Sequence, residues 1–225
     1  MDYEEKEKSF YEQFWKSLKG KFSEDSWHYS SNVPYLTFSK LIRFLKKNKV
    51  EGSILDVGCG NGRNSIPCAK QGFKTYGIDI SESALKIARK NAKMNKVKVD
   101  FQVGSVLDLP YPQKFFEVVM DFGCLHHLRE SQWKGYKENI KKVLKRNGYY
   151  YLLCFSRNSG YIPTFTPKTK EKNFTIRNGH FNRFFTRSDV EQLFGDTFEI
   201  VTYFETKKKG SPLIFNEFYM QRKSP

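Results

Sequence analysis

The 225-residue sequence is poor in cysteine and lacks long apolar runs. Its four cysteines are scattered without a C-x-x-C pair or zinc-type spacing, so we expect neither a disulfide nor a structural metal. No apolar stretch reaches the roughly 18 residues that a membrane-spanning helix requires. The first residues are acidic and polar, unlike a secretory signal, which predicts a cytoplasmic protein without a membrane partner.

Positive charge, in contrast, is in excess. The chain has 39 Lys and Arg residues against 24 Asp and Glu residues, a formal net charge of +15. This excess keeps nucleic acid among the partners to consider, although solvated helix faces explain most basic runs and no RNA-binding motif is present. One such run contains Lys137, Lys141, Lys142, Lys145 and Arg146. We therefore expect a small-molecule substrate first, and the sequence leaves the oligomeric state open.

Short apolar runs alternate with helical patterns from residue 53 onward, as in the βαβ units of a parallel sheet. Predicted strands span 53–57, 74–78, 97–103, 115–120 and 149–155, and predicted helices span 64–71, 82–95, 132–145 and 188–194. Two later runs, 197–204 and 213–220, indicate an antiparallel edge hairpin. The pattern predicts an α/β fold with a Rossmann-like, doubly wound, mostly parallel seven-stranded sheet.

The two ends of the chain differ from this pattern. Residues 1–50 predict an N-terminal helical cap, because aromatic and leucine side chains recur at steps of three and four residues. Residues 51–225 then form the main domain. Within it, residues 157–180 lack periodicity and contain Gly and Pro, which predicts an inserted loop on the substrate side.

The first predicted strand ends in a glycine-rich loop, D-V-G-C-G-N-G, at residues 56–62. Ligands of open parallel sheets bind at the carboxyl ends of the strands, where glycine lets the backbone approach closely. Arg63 replaces the last glycine of a dinucleotide motif and Asp56 precedes the loop, which disfavours NAD, while the absence of Gly-Lys-Ser/Thr excludes a P-loop. The loop therefore predicts a cradle for a small molecule with a cationic group.

Asp79 ends the second predicted strand, roughly 20 residues after Gly58. In nucleotide-binding folds a carboxylate at that spacing accepts hydrogen bonds from ribose hydroxyls. A carboxylate that caps a helix or a turn is the alternative.

The run I-L-D-V-G-C-G-N-G-R-N at 54–64, with Gly77-Ile78-Asp79, resembles the class I S-adenosylmethionine-dependent methyltransferases. The form G-C-G-N-G-R-N-S is similar to small-molecule enzymes of the tellurite-resistance type. The resemblance implies S-adenosyl-L-methionine as cofactor and S-adenosyl-L-homocysteine as product. It also implies a set of cofactor-binding residues, which are Asp56, Gly58, Cys59, Gly60, Asp79, Ile80, Ser105, Val106 and Phe122.

Each part of the cofactor has implied partners within this set. Asp56, with Gly58 and Gly60, would hold the methionine part, Asp79 the ribose, and Ile80 would pack on the adenine. Ser105 stands where the family usually has the Asp that binds the adenine amine.

His127 and His180 are the candidate catalytic residues. Methyl transfer is an in-line displacement in which positioning dominates and a general base is optional. His126 and His127 follow the fourth strand, where a histidine can act as a base or line a short helix; no third ligand supports a metal site. The resemblance implies methylation of O, N or S on a small molecule. An RNA or protein methyltransferase and a non-catalytic cofactor-binding module are the alternatives.

Overall fold

The computed structural model describes residues 3–18, 21, 37–159, 173–177, 180–207 and 212–224, apart from the side chains of 177 and 180. The helices are α1 (Tyr3–Ser17), α2 (Phe38–Lys47), α3 (Ser65–Lys70), α4 (Glu82–Met94), α5 (Glu130–Val143) and α6 (Arg187–Phe194), with a 3₁₀ helix at Leu125–His127. The strands are β1 (Ser53–Val57), β2 (Lys74–Asp79), β3 (Val99–Val103), β4 (Phe116–Phe122), β5 (Leu144–Phe155), β6 (Phe174–Arg177), β7 (His180–Arg183), β8 (Phe198–Lys207) and β9 (Ile214–Arg222).

Seven of the strands form one sheet in the order β3-β2-β1-β4-β5-β9-β8. The pairs β1/β2, β2/β3 and β4/β5 are parallel, whereas β9 runs antiparallel to both β5 and β8. The predicted fold class is thus confirmed, including the antiparallel strands at one edge. The chain divides into two compact units, one ending at Pro110 and the other beginning at Tyr111.

The first unit is built on β1, β2 and β3. Every residue of β1 is buried, which explains why its sequence is an almost continuous apolar run rather than an alternating one. A core cluster joins the glycine loop to α3, α4 and β3, and it contains Cys59, Ile66, Leu85, Ala88, Ala92 and Phe101. The loop therefore rests directly on packed side chains.

The second unit is built on β4, β5, β8 and β9. Its β5 begins at Leu144, whereas the sequence pattern predicted a helix up to residue 145 and a strand only from residue 149. Leu144 is buried and pairs with Phe116, and the register then shifts before Val118. This irregularity lies where Asn147 has a positive φ of 58°, so the alternation that marks a strand is interrupted there.

The segment predicted as an inserted loop contains a short hairpin. Of residues 157–180 the structure describes 157–159, 173–177 and 180, and the last two stretches belong to an antiparallel hairpin, β6 and β7. Phe174 and Phe181 are buried in it, with ring centroids 5.0 Å apart. Strands of four residues are too short for a periodic signal, which is why the pattern indicated only a loop. In the predicted N-terminal cap, α1 and α2 are helical and residues 22–36 lie outside the described part.

Candidate cofactor site

The loop between β1 and α3 turns on three glycines. Gly58, Gly60 and Gly62 have φ values of +65°, +54° and +77°, the left-handed region that residues with a Cβ rarely adopt. The Cys59 N–H donates to the Ile78 carbonyl at 3.0 Å, and the Gly62 N–H donates to the Cys59 carbonyl at 3.0 Å. The loop is therefore folded on itself and anchored to β2.

The Asp79 carboxylate joins this loop to the turn after β2. Its Oδ2 accepts the Gly60 N–H at 2.8 Å, and its Oδ1 accepts the Ser81 N–H at 2.9 Å. Burial raises the pKa of Asp79 to about 6, although both hydrogen bonds act in the opposite direction. Each carboxylate oxygen can accept a further hydrogen bond, so two hydroxyls of a ligand still find acceptors here. Asp79 thus caps the turn after β2, as the alternative interpretation expected. Its carboxylate oxygens can still accept hydrogen bonds from ribose hydroxyls.

Asp56 and Cys59 are buried residues that hold the glycine loop against the core. Asp56 is buried in β1 and accepts a hydrogen bond from the Ser65 hydroxyl at 2.5 Å. Burial, followed by the charges of Asp79 and Asp56, raises the pKa of the Cys59 thiol well above its usual value. A Cβ on Gly77 would lie 2.8 Å from the Cys59 Sγ. The thiol is therefore a neutral core group that packs the loop against the sheet.

The residues predicted for the adenine lie on two neighbouring turns. Ile80 is half-buried after β2, and Val106 is buried after β3. The Ser105 Oγ accepts the Leu107 N–H at 3.1 Å, which shapes the second turn and leaves its O–H as a donor. A Cβ on Gly104 would lie 2.8 Å from the Ile78 Cδ1, so the second turn packs closely against β2.

Two residues of α1 belong to this site and escaped the sequence analysis. A Cβ on Gly60 would lie 3.1 Å from the Trp15 Cζ2, so the indole covers the glycine loop. Glu12 accepts the Ser81 hydroxyl at 2.7 Å, the Ser83 N–H at 3.0 Å and the Ser83 hydroxyl at 2.5 Å. The periodicity of α1 marked Trp15 as apolar, but no local pattern indicates what either side chain contacts.

These contacts give Glu12 an unusually acidic carboxyl. Partial burial raises its pKa, and hydrogen bonds from Ser83, Ser81 and Lys16 outweigh burial and bring the pKa to about 2. The Ser81 hydroxyl also accepts the Ala84 N–H at 3.1 Å, which confirms the predicted N-cap of α4. Glu12 therefore binds, as an anion, to the capped end of α4 next to Asp79.

In the second unit, His127 ends the 3₁₀ helix and is half-buried. Its Nδ1 lies 3.0 Å from the Phe181 carbonyl oxygen, which fixes Nδ1 as the protonated nitrogen and leaves Nε2 as an acceptor in the neutral ring. His126 is buried and stacks on Phe155, with ring centroids 3.9 Å apart. His180 begins β7, and its side chain lies outside the described part.

A buried carboxylate holds the turn that precedes these histidines. Asp121 accepts the backbone N–H groups of Gly123, Cys124 and Leu125, and also the Tyr136 hydroxyl. Burial raises the pKa of Asp121 to about 6 despite these four donors. Phe122, the remaining predicted cofactor residue, lies beside it with its ring 4.8 Å from that of Tyr151.

Within the described ranges, no three His, Cys, Asp or Glu side chains are grouped as a metal ion would need. Within the same ranges, every helix is too short or too polar to cross a membrane.

The part of the chain that contains the glycine loop matches a known protein family. A family model described as a methyltransferase domain matches residues 54–148, which include the glycine loop, Asp79 and Asp121. Among solved structures, the chain is similar to the 1,6-didemethyltoxoflavin-N1-methyltransferase of Burkholderia thailandensis, with a TM-score of 0.75 at 16% identity. That similarity covers 99% of this chain and 89% of the other, and it shows the fold.

Two curated relatives match at similar identity. A ubiquinone biosynthesis O-methyltransferase of Pelagibacter ubique is 28% identical over 152 residues, covering 61% of this chain and 62% of the relative. A tRNA N(3)-methylcytidine methyltransferase of Schizosaccharomyces pombe is 27% identical over 204 residues, covering 84% of this chain and 65% of the relative. The chain thus spans somewhat less than two thirds of either relative.

The fold, the matched family domain and the geometry of the glycine loop all indicate the same cofactor. Gly60 has the left-handed backbone of a cradle in which an added Cβ would be strained and would require the Trp15 ring to shift, and Asp79 lies next to it with acceptor capacity for ribose hydroxyls. These residues fit the nucleoside and amino-acid parts of S-adenosylmethionine. Residues 54–148 are thus similar to a methyltransferase domain, and the whole chain shares the fold of a solved methyltransferase structure.

Proposed function

We propose that this chain transfers the methyl group of S-adenosylmethionine to an oxygen, nitrogen or sulfur atom of a small molecule. The observation that carries the proposal is the double hydrogen bond of Asp79 to Gly60 and Ser81. It brings the glycine loop and a ribose-binding carboxylate together as a preformed cradle for a nucleoside-containing cofactor. Asp56, Gly58, Cys59 and Gly60 then shape the methionine end, and Ile80, Ser105 and Val106 serve the adenosine end. Phe122, at the carboxyl end of β4, is assigned to the side of the methyl group.

The cofactor supplies a methyl group already activated by a sulfonium, so the protein mainly positions the acceptor. We assign His127 as the residue that accepts a proton when the acceptor carries one, since its Nε2 is the acceptor nitrogen while Nδ1 is held by Phe181. His180 stays a second catalytic candidate from the sequence.

A small-molecule acceptor is supported by the relatives named for ubiquinone biosynthesis and toxoflavin methylation. RNA is the second candidate, because the tRNA methyltransferase similarity covers 84% of this chain and the net charge is +15. Labelled S-adenosylmethionine separates the two candidates. Incubation with phenols, amines and thiols in one arm, and with total tRNA in the other, should give S-adenosylhomocysteine only in the first arm.

Other outcomes of this assay have defined meanings. Label in tRNA alone would replace the small-molecule proposal with the RNA one. Cofactor binding in calorimetry without turnover in either arm would instead favour a non-catalytic module.

The role of His127 is tested with His127→Gln, which keeps a donor for the Phe181 carbonyl but removes the basic nitrogen. With an acceptor that ionises, we expect kcat to fall by about 10²-fold or more, the scale of general base catalysis. The acidic limb of the pH–rate profile should disappear with it. Unchanged kcat with normal cofactor affinity would remove His127 from the mechanism.

A further inference from the structure

A cleft in the second unit lies away from the residues assigned above. It has a volume of about 190 Å³ and is lined by Gln113, Lys114, Glu138, Lys141, Lys142 and Arg222. Lys114 comes just before β4 and Lys142 just before β5, so the cleft lies at the amino-terminal end of these parallel strands. His127, in contrast, follows the carboxyl end of β4. The cleft is therefore a separate site within this unit.

The lining carries four cationic groups and one acidic group. Lys141 and Glu138 approach to 3.4 Å, but both side chains are largely exposed, at 42% and 51%, and such pairs contribute little. Lys114 and Lys142 are exposed, and neither forms an ion pair within the described part of the chain. The cleft thus has a positive charge that the surrounding protein leaves mostly uncompensated.

The end of α5 would by itself oppose an anion, because the last carbonyls of a helix carry partial negative charge. In this cleft, hydrogen-bond donors of neighbouring residues bind the last carbonyls of α5. Arg222 Nη1 donates to the Lys141 carbonyl at 2.7 Å and also to the Leu144 carbonyl. The backbone N–H groups of Lys114 and Phe115 donate to the carbonyls of Lys142 and Val143, both at 2.8 Å. The lysine ammonium groups therefore determine the sign of the local potential.

Arg222 is held in this position by its two carbonyl contacts. Burial lowers its pKa, and the nearby charge of Arg146 lowers it further. Arg146 is thus a fifth cation close to the cleft, and Lys145 precedes it in the chain. A guanidinium held in one place beside exposed ammonium groups is the chemistry that recognises phosphate oxygens.

We propose that this cleft binds a phosphate group. Its volume is below the roughly 300–1,000 Å³ of sites for drug-sized ligands, which suits one small ionic group rather than a whole metabolite. The phosphate comes either from a soluble phosphate ester or from the backbone of an RNA strand that continues along Lys145 and Arg146. The site is an anchor at a distance from His127, and it stands independently of the acceptor proposed above.

The test compares two double variants with the same change in net charge. Lys114→Glu/Lys142→Glu alters the cleft, and Lys86→Glu/Lys90→Glu alters exposed lysines of α4 in the other unit. Tripolyphosphate and a short single-stranded RNA are titrated into each variant and the unaltered protein. We expect the cleft variant to bind at least about tenfold more weakly than the control variant. For RNA, the slope of log affinity against log salt should fall by about one per lost lysine.

The two ligands distinguish the sources of the phosphate. A loss confined to RNA identifies a strand, and a loss confined to tripolyphosphate identifies a soluble ester; either supports the site. Equal binding by both variants, or no binding by the unaltered protein, overturns it. Affinity for S-adenosylhomocysteine, measured alongside, reports on folding and on the methyltransferase assignment separately.

Discussion

At the scale of single residues, Gly60 and Gly72 show two different uses of glycine. Both have positive φ values, +54° and +92°. A Cβ on Gly60 would lie 3.1 Å from Trp15, whereas a Cβ on Gly72 would have nothing within 4 Å. Gly72 therefore meets only a backbone requirement. Gly60 meets the same requirement and also keeps the cofactor loop free of a side chain.

Alanine at the two positions should separate these effects. Each substitution places a Cβ on a left-handed residue, which costs about 1–2 kcal/mol of folding free energy. Only Gly60→Ala should also weaken S-adenosylhomocysteine binding, by about tenfold or more, because the loop that bonds Asp79 must shift. Calorimetric titration measures the affinity and urea unfolding measures the stability.

Gly72→Ala is the matched control for that comparison. If Gly60→Ala binds the cofactor product as tightly as Gly72→Ala does, the assignment of the loop as the cofactor cradle is wrong.

At the scale of elements, α1 and α4 are joined by one carboxylate. Glu12 and Ser81 are 69 residues apart in the sequence, and their contact is a 2.7 Å hydrogen bond. Because Ser81 also donates its N–H to Asp79, the position of α1 is connected to that of the carboxylate that we propose binds the ribose. The same helix brings Trp15 over Gly60. An N-terminal helix is thereby part of the proposed cofactor site.

Glu12→Ala should loosen this connection. The variant loses the acceptor of three hydrogen bonds from Ser81 and Ser83, and we expect a local loss of about 1 kcal/mol, since Glu12 is only partly buried. Amide hydrogen exchange in α1 should become several-fold faster, and cofactor affinity should fall with it. Glu5→Ala changes an exposed glutamate of the same helix and serves as the control. Identical exchange in the two variants would rule out Glu12 as the anchor of α1.

At the scale of the whole molecule, buried carboxylates make stability depend on pH. Burial raises the pKa of Asp79 and of Asp121 from 3.8 to about 6, so the folded protein binds more protons than the unfolded chain between these values. Their contribution to stability is complete below about pH 3.8 and is lost as the pH rises through 6. Glu12 acts in the opposite direction: its contribution is present above pH 4.5 and is lost as the pH falls towards 2.

Asp121→Asn should remove one of these titrations. An upward shift of about two pKa units corresponds to about 3 kcal/mol. The free energy of unfolding of the unaltered protein, minus that of the variant, should therefore decrease by up to that amount from about pH 4 to about pH 7. Urea unfolding at several pH values measures it, and Asp100→Asn controls for an exposed carboxylate on β3. A difference that stays constant over this range would show that Asp121 does not titrate as its burial implies.

The sequence by itself determined the features that depend on neighbours in the chain. The alternation of strands and helices, the glycine loop, Asp79 at the end of β2 and the Ser81 N-cap all follow from local periodicity and turn chemistry. Where local signals are weak, the pattern failed. It indicated a loop in place of β6 and β7, whose four-residue strands are too short for a period, and it began β5 late because Asn147 interrupts the alternation.

Only the tertiary structure decided which of these elements meet. The contacts of Glu12 with α4 and of His127 with Phe181 join residues far apart in the sequence, and no local pattern encodes them. The basic cleft has the same origin, because the run of lysines in the sequence lines a cleft only together with Lys114, which precedes β4, and Arg222, which ends β9. The physical reason is that packing and strand register, rather than chain order, determine which charges and hydrogen-bonding groups come within reach of one another.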